Sequence, residues 1–273
     1  MATCYRHPTR ETAVSCSSCG RPICPDCMTT TPVGMRCPDC ARQRTKVVRM
    51  RELATVPRVT YALIAINVLA FLTEQGQFTI FGASTHGKVI EEGVLWRYGV
   101  GVQHQYWRLV TSGFLHENIL HIGFNMYLLY LLGTMLEPAI GSPRFATIYF
   151  TSLLVGSFGA LLATASPSLG ASGAIFGLMG AAVIELRSRR MSVMESGIGG
   201  LIILNLILSF SIANISVGAH IGGLIGGGLA ALAIRTADER KLPALGYAAC
   251  AVLSVAAVAG SLAVSQATGT GFV

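Results

Sequence analysis

The apolar residues of this chain gather into long runs that polar segments separate. From Val59 onward, stretches of about 20 residues with few charges recur, and each is long enough to cross a bilayer as a helix. The pattern therefore predicts an all-α polytopic membrane protein with seven spans, at 59–76, 118–136, 145–165, 171–187, 194–213, 218–235 and 244–264. Between the first two spans it predicts a loop of roughly 40 residues whose aromatic side chains suit a membrane interface.

The composition and the charge distribution agree with a membrane protein. Hydrophobic residues make up 52% of the 273 residues and charged residues 12%, and the mean hydropathy is +0.58. Such a chain is too apolar for an ordinary soluble domain. Basic loops stay cytosolic, so the basic residues before Val59, Arg144 and the clusters at 187–190 and 235–241 predict a cytosolic N-terminus and an extracytoplasmic C-terminus. We expect a multi-pass protein of a bacterial cell membrane.

Seven of the eight cysteines lie within the first forty residues, in regularly spaced pairs. Three pairs are Cys-x-x-Cys and the first is Cys-x-x-His, a spacing at which two ligands grip one tetrahedral Zn²⁺. Eight ligands make two structural zinc sites without an open coordination position, and metal binding would supply the folding energy of a small domain at 1–41. The predicted ligands are Cys4, His7, Cys16, Cys19, Cys24, Cys27, Cys37 and Cys40.

Two alternatives concern this cysteine-rich domain. A disulfide framework would suit an oxidising compartment, whereas the predicted topology places the domain in the reducing cytosol. The ligand order resembles cross-braced B-box-type modules, in which the first and third pairs share one ion, but a sequential arrangement stays open. Its arginines and the basic linker at 42–58 are typical of a cytosolic juxtamembrane segment. We therefore expect a protein-interaction or regulatory module and no nucleic-acid partner.

Two polar residues, Ser172 and His220, open glycine-rich apolar stretches. Polar groups at bilayer depth are costly, and a paired serine and histidine make a nucleophile and a general base. Ser172 could instead be a helix N-cap. Both spans are predicted to run from outside to inside, which puts the two residues at the same depth and favours a Ser-His dyad. No carboxylate is well placed to be a third member, and this chemistry requires no catalytic metal.

A second polar pair, His121 and Asn125, begins the second span at helical spacing, so both side chains share one face. Donors at that depth could complete an oxyanion hole with the Ser172 N–H. The alternative is that the pair only joins helices by hydrogen bonding.

The membrane part resembles the rhomboid intramembrane serine proteases over about residues 59–235. The motifs, in family order, are Tyr106 to Thr111, His121 to Asn125, Gly133-x-x-x-Glu137-x-x-x-Gly141, Gly170 to Gly173 and Ala219 to Gly223. The resemblance implies a rhomboid-like six-helix core with Ser172 as nucleophile, His220 as general base, and His121 and Asn125 as oxyanion donors. Residues 236–273 would add a loop, a seventh transmembrane helix and a short tail.

The resemblance also implies roles for neighbouring residues. Trp107 and Arg108 would lie in a membrane-embedded loop, Glu137 would be a structural hydrogen-bonding residue, and the ring of Phe176 would pack against His220.

The expected activity is endopeptidase cleavage of single-pass transmembrane proteins within the lipid bilayer, near its outer face. A cytosolic protein partner is expected for the zinc domain. One rival is a catalytically silent relative that binds and escorts transmembrane helices, although such proteins usually lack the serine or the histidine. The other is a transporter with broken helices, against which the missing inverted repeat argues.

Overall fold

The computed structural model describes residues 2–42, 56–73, 87–164, 166–212 and 215–269. The chain divides into two units, Met1–Ala54 and Thr55–Val273. Most of the linker predicted at 42–58 lies outside the described residues, and the domain boundaries proposed from the sequence stay predictions.

The N-terminal unit consists of short elements around its cysteines. Its elements are two antiparallel hairpins, β1 (Ala2–Thr3) with β2 (Glu11–Thr12) and β3 (Thr29–Thr31) with β4 (Gly34–Arg36), a 3-10 turn at Pro25–Cys27, and α1 (Pro38–Ala41). Its buried cluster contains six cysteines and Ile23, with Tyr5 and Met28 packed against it. So few apolar side chains cannot stabilise a unit of this size, which agrees with the expectation of a metal-held fold.

The second unit is mainly helical in its described part. Its long helices are α2 (Arg58–Thr73), α6 (Ile119–Ile140), α7 (Ser142–Ala163), α8 (Ser172–Ser188), α9 (Ile198–Ser211), α10 (Val217–Glu239) and α11 (Pro243–Gly269). Each overlaps one predicted span, and the predicted helical membrane fold is confirmed. By length and composition, α6, α7, α10 and α11 can cross a membrane, while α2 and α9 are shorter apolar helices. The count of seven spans stays a prediction.

Several helix ends differ from the predicted span ends because backbone geometry, not hydropathy, sets them. α6 continues to Ile140 and stops where Gly141 takes a φ of +87°. α9 begins only at Ile198, since Gly197 adopts a left-handed conformation with a φ of +82°. α10 extends beyond the predicted end at 235 to Glu239.

The region predicted as a long loop is more structured than expected. In its described part it forms α3 (Lys88–Gly93), α4 (Arg97–Gly101), α5 (Arg108–Thr111) and a 3-10 turn at Ser112–Phe114. The buried guanidinium of Arg108 holds these pieces together: Nη1 donates to the carbonyls of Glu91 at 2.9 Å and Val94 at 2.7 Å. Burial lowers the pKa of Arg108, yet these carbonyl acceptors satisfy its donors and so make the buried position tolerable.

A second buried charged group, Glu137, ties α6 to the start of α2. Its carboxylate accepts hydrogen bonds from the backbone N–H groups of Val59 at 2.9 Å and Thr60 at 2.8 Å, and from the Ser142 hydroxyl at 2.6 Å. A carboxylate at a helix N-terminus satisfies unpaired N–H groups and complements the helix dipole.

The centre of the unit is α8, in which every residue from Gly173 to Ala182 is buried. α10 packs directly against it through glycines. A Cβ atom at Gly223 would overlap the carbonyl of Gly173, and one at Gly227 would overlap the backbone of Gly177. The two helices therefore meet backbone to backbone, as small residues permit in membrane proteins.

We predict that Gly227→Ala destabilises the unit while the adjacent Gly228→Ala does not. A Cβ at position 228 would meet its nearest atom, the Gly180 carbonyl oxygen, at an ordinary 3.9 Å. Overpacking typically costs about 1–3 kcal/mol, whereas Ala is favoured over Gly within a helix by about 1 kcal/mol. Thermal unfolding in detergent should show a lower midpoint for Gly227→Ala alone. Equal midpoints would contradict the close contact of α8 with α10.

Candidate active site and metal-binding clusters

Ser172 is the first residue of α8, directly after a glycine turn. Gly170 has a φ of +122°, and Ala171 is the N-cap residue, so the hydroxyl of Ser172 does not cap the helix. It lies instead 2.7 Å from Nε2 of His220. The residue thus combines a side chain engaged by an imidazole with a helix N-terminus, where backbone N–H groups lack intrahelical partners.

His220 lies in the first turn of α10 and is 7% exposed. The ring of Phe176 stacks on it, with a centroid separation of 4.2 Å and an interplanar angle of 16°. This is the contact that the family resemblance implied for Phe176. With one face covered and Nε2 held by Ser172, the imidazole has a restricted orientation.

Sequence reasoning missed the partner of the other ring nitrogen of His220. The hydroxyl of Ser209, on α9, lies 2.6 Å from Nδ1. No acidic residue was expected there, and the group present is neutral. The available signal was a polar pair, Asn205 and Ser209, one turn apart in an otherwise apolar run.

His121, in the first turn of α6, lies against Gly170, two residues before Ser172. A Cβ atom at Gly170 would stand 2.8 Å from its Nε2 and 3.8 Å from the hydroxyl oxygen of Ser172. The N–H of Glu117 points at Nδ1 over 3.5 Å, an arrangement that favours the proton on Nε2, the nitrogen that faces Gly170.

Asn125 lies one turn further along α6 and is 3% exposed. Its amide donates to the carbonyl of His121 at 2.9 Å, and an amide group carries a second N–H. The structure therefore brings Ser172, His220 and His121 together, with Asn125 directly behind His121.

A further histidine, His116, was not singled out from the sequence. It is fully buried just before α6, its ring centroid is 5.1 Å from that of His121, and neither ring nitrogen reaches a well-formed hydrogen bond. Burial, with a smaller contribution from His121, lowers its pKa to about 3. A ring that stays neutral can pack beside His121 without introducing a charge.

The site lies where the N-terminal ends of three helices meet, because Ser172, His220 and His121 occupy the first turns of α8, α10 and α6. Helix N-termini carry partial positive charge. A nucleophile and a base in hydrogen-bonding contact, beside donors and dipoles that favour an anion, can perform acyl transfer through a tetrahedral intermediate.

The N-terminal unit contains two ligand clusters that can hold metal ions. One comprises Cys4, His7, Cys24 and Cys27, the other Cys16, Cys19, Cys37 and Cys40, and within each the ligand atoms lie within 4.8 Å of one another. The ligands thus group in the cross-braced order rather than sequentially. None of the eight cysteines, all of which lie in the described residues, forms a disulfide.

The distances within these clusters fit a tetrahedral ion. Nδ1 of His7 is 3.3 Å from Sγ of Cys24 and 3.4 Å from Sγ of Cys27, and the sulfurs of Cys19 and Cys37 are 3.9 Å apart. With Zn–S bonds of about 2.3 Å, the edges of a tetrahedral site are about 3.8 Å long.

The thiol pKa values in the second cluster reflect the close approach of its sulfur atoms. A hydrogen bond from the Cys37 backbone N–H lowers the pKa of Cys16 to about 6. The pKa of Cys40 is raised to about 12, because it shares protons with the neighbouring thiols of Cys37 and Cys19. Crowded sulfurs cannot all ionise by themselves, whereas a bound divalent cation deprotonates its thiol ligands.

Comparison with known proteins identifies the membrane part. Residues 103–237 match the model of the Rhomboid domain. The chain is 38% identical over 181 residues to "Rhomboid protease GluP" of Bacillus subtilis (strain 168), an alignment that covers 65% of this chain and 35% of GluP. YdcA of the same organism is 29% identical over 191 residues, covering 68% of this chain and 92% of YdcA.

The relatives support an intramembrane protease function, although not every one is named as active. The chain spans about a third of the length of GluP, so it matches only part of that protein. "Inactive RHOMBOID-like protein 8" of Arabidopsis thaliana is 33% identical over 140 residues, covering 49% of this chain and 39% of the relative. Similarity alone therefore does not decide activity, which depends on the residues at the site.

Proposed function

Because the membrane part of this chain belongs to the rhomboid family, we propose that it is an intramembrane serine endopeptidase with Ser172 as nucleophile and His220 as general base. The observation that carries the proposal is the 2.7 Å contact between the Ser172 hydroxyl and Nε2 of His220. A nucleophile activated by an adjacent base is the arrangement that covalent acyl transfer requires.

In the proposed mechanism, Nε2 of His220 takes the hydroxyl proton as Ser172 attacks the scissile carbonyl. The oxyanion that forms is stabilised by the Ser172 backbone N–H, Nε2–H of His121 and the amide of Asn125. His220 then gives its proton to the leaving amine, and an acyl-enzyme remains. Water, deprotonated by His220, attacks the ester and releases Ser172.

The proposed substrates are single-pass transmembrane proteins cleaved near the outer face of the bilayer. In the predicted topology, the N-termini of α6, α8 and α10 lie on the extracytoplasmic side, which places the site there. The apolar side chains on the outer face of α9, such as Leu204 at 53% and Phe210 at 70% exposure, are suited to contact with lipid. In this proposal a substrate helix reaches the site laterally through the bilayer.

A second candidate function is binding and escort of transmembrane helices without cleavage, since one relative is named as inactive. The contact between Ser172 and His220 favours the protease, because a protein that only binds helices has no use for a buried nucleophile and base.

For the N-terminal unit, we propose two structural zinc ions, one in each ligand cluster, and a cytosolic role in recruitment or regulation. The donor set supports the choice of metal, since three thiolates and one imidazole, or four thiolates, form closed zinc sites.

Ser172→Ala and His220→Ala should each abolish cleavage of a transmembrane peptide by the purified protein, and the double variant should be no worse, because the pair acts as a unit. A fluorophosphonate should label the wild type but neither variant. Ser188→Ala is the matched control, since this serine of α8 donates to the carbonyl of Glu185, far along the helix from the site. Substantial turnover by Ser172→Ala would end the protease assignment.

The purified chain should contain two zinc ions by elemental analysis, and Cys27→Ser should reduce the content to about one. Cys250→Ser, which alters the remaining cysteine in α11, should retain both. Removing zinc with a strong chelator should unfold the N-terminal unit but leave peptide cleavage in detergent unchanged, because the dyad uses no metal. Prompt loss of cleavage would show that the two units are not functionally separate.

A tag at the C-terminus should be accessible from outside intact cells, and a tag at the N-terminus only after permeabilisation. The reason is the basic cluster at 187–190 together with the basic linker. Detection of both tags on the same side would exclude an odd number of spans.

A further inference from the structure

The imidazole of His220 is held at both nitrogens by serine hydroxyls from two different helices. Ser172 on α8 contacts Nε2 at 2.7 Å, and Ser209 on α9 contacts Nδ1 at 2.6 Å. Ser209 is 3% exposed, so water does not readily replace it as a partner of the ring.

A third contact decides the direction of these hydrogen bonds. The hydroxyl oxygen of Ser209 is also 2.6 Å from the carbonyl oxygen of Asn205, one turn earlier in α9. A carbonyl can only accept, and a hydroxyl has one proton to donate. Ser209 therefore donates to Asn205 and must accept from His220, which places the ring proton on Nδ1.

The direction of the hydrogen bond at Nδ1 determines what Nε2, on the opposite side of the ring, can do. In a neutral imidazole one nitrogen carries the proton and the other carries the lone pair. With Nδ1 protonated, Nε2 is free to accept the proton of the Ser172 hydroxyl, as a general base must. The other tautomer would present an N–H to Ser172 and could not deprotonate it.

We propose that Ser209 is a positioning residue that selects the Nδ1–H tautomer of His220 and holds its ring in line with Ser172, a role that rests on the proposed protease function. It acts through His220 and does not touch the substrate. The proposed arrangement is then a chain of hydrogen bonds in which each group donates to the next: the Ser172 hydroxyl, His220, the Ser209 hydroxyl and the carbonyl of Asn205. A neutral hydroxyl thereby occupies the position at which other serine hydrolases place a carboxylate.

The test compares Ser209→Ala with Ser211→Ala. Both serines lie on α9 and donate to the carbonyl four residues earlier, and the Ser211 hydroxyl is 2.7 Å from the carbonyl of Ile207. Only Ser209 reaches His220. The two variants therefore lose the same kind of helix contact, and only one loses the contact with the ring.

We expect Ser209→Ala to lower kcat about ten- to hundredfold with KM nearly unchanged, because substrate binding does not involve this hydroxyl. Loss of the correct tautomer costs about 10⁴ where the partner is a carboxylate, and a neutral partner should contribute less. Ser211→Ala should keep the wild-type kcat. Ser209→Thr retains the hydroxyl and should recover most of the rate.

A spectroscopic measurement separates positioning from packing. Nitrogen-15 NMR of the intact protein in detergent distinguishes the two neutral tautomers, and the His220 signal is the one missing in His220→Asn. The wild type and Ser211→Ala should show the Nδ1–H form, and Ser209→Ala should show a mixture or the Nε2–H form.

Wild-type kcat together with an unchanged tautomer in Ser209→Ala would overturn the inference. If the wild type itself neither cleaves peptides nor reacts with a fluorophosphonate, the proposed function fails instead, while the tautomer comparison still reports on Ser209. If Ser209→Thr does not fold, the NMR comparison of the two alanine variants decides the question.

Discussion

The backbone contact between α8 and α10 is the constraint on which the membrane unit depends. Gly173 and Gly177 of α8 face Gly223 and Gly227 of α10, and a Cβ at either of the α10 positions would overlap the α8 backbone. Any larger residue would push the helices apart. Since Ser172 and His220 lie in the first turns of these two helices, their 2.7 Å contact requires that spacing. The geometry of the proposed dyad and the packing of the helices therefore have the same origin.

The buried polar groups around this contact are tolerated because the protein itself satisfies them. Glu137 binds the N-terminal N–H groups of α2, and Arg108 binds carbonyls of the folded loop. Each would cost several kcal/mol or so if left unpaired at bilayer depth. Paired, Glu137 joins α2 to α6, the helix that carries His121. Arg108 likewise joins the short helices that precede α6. Both segments are therefore held by specific contacts as well as by apolar burial.

Sequence patterns predicted part of this arrangement and missed what depends on three-dimensional contact. Hydropathy located the seven helices, and the glycines near Ser172 and His220 indicated two faces that can approach closely. The helix ends at Gly141 and Gly197 follow from the positive φ values of these glycines. The predicted loop contains short helices that Arg108 joins through carbonyl acceptors. Ser209 was missed because a serine in an apolar run has no signature until its distance to His220 is known.

The sequence offers no well-placed carboxylate for His220, and the contact with Ser209 suggests a physical reason. An ionised carboxylate buried in an apolar helix carries a large desolvation cost, whereas a hydroxyl with both an acceptor and a donor partner carries little. In the proposed mechanism the base needs a fixed tautomer and a fixed ring orientation from its third partner. A hydroxyl whose own proton goes to the Asn205 carbonyl would supply both. At bilayer depth, a neutral partner can thus orient a histidine without adding a buried charge.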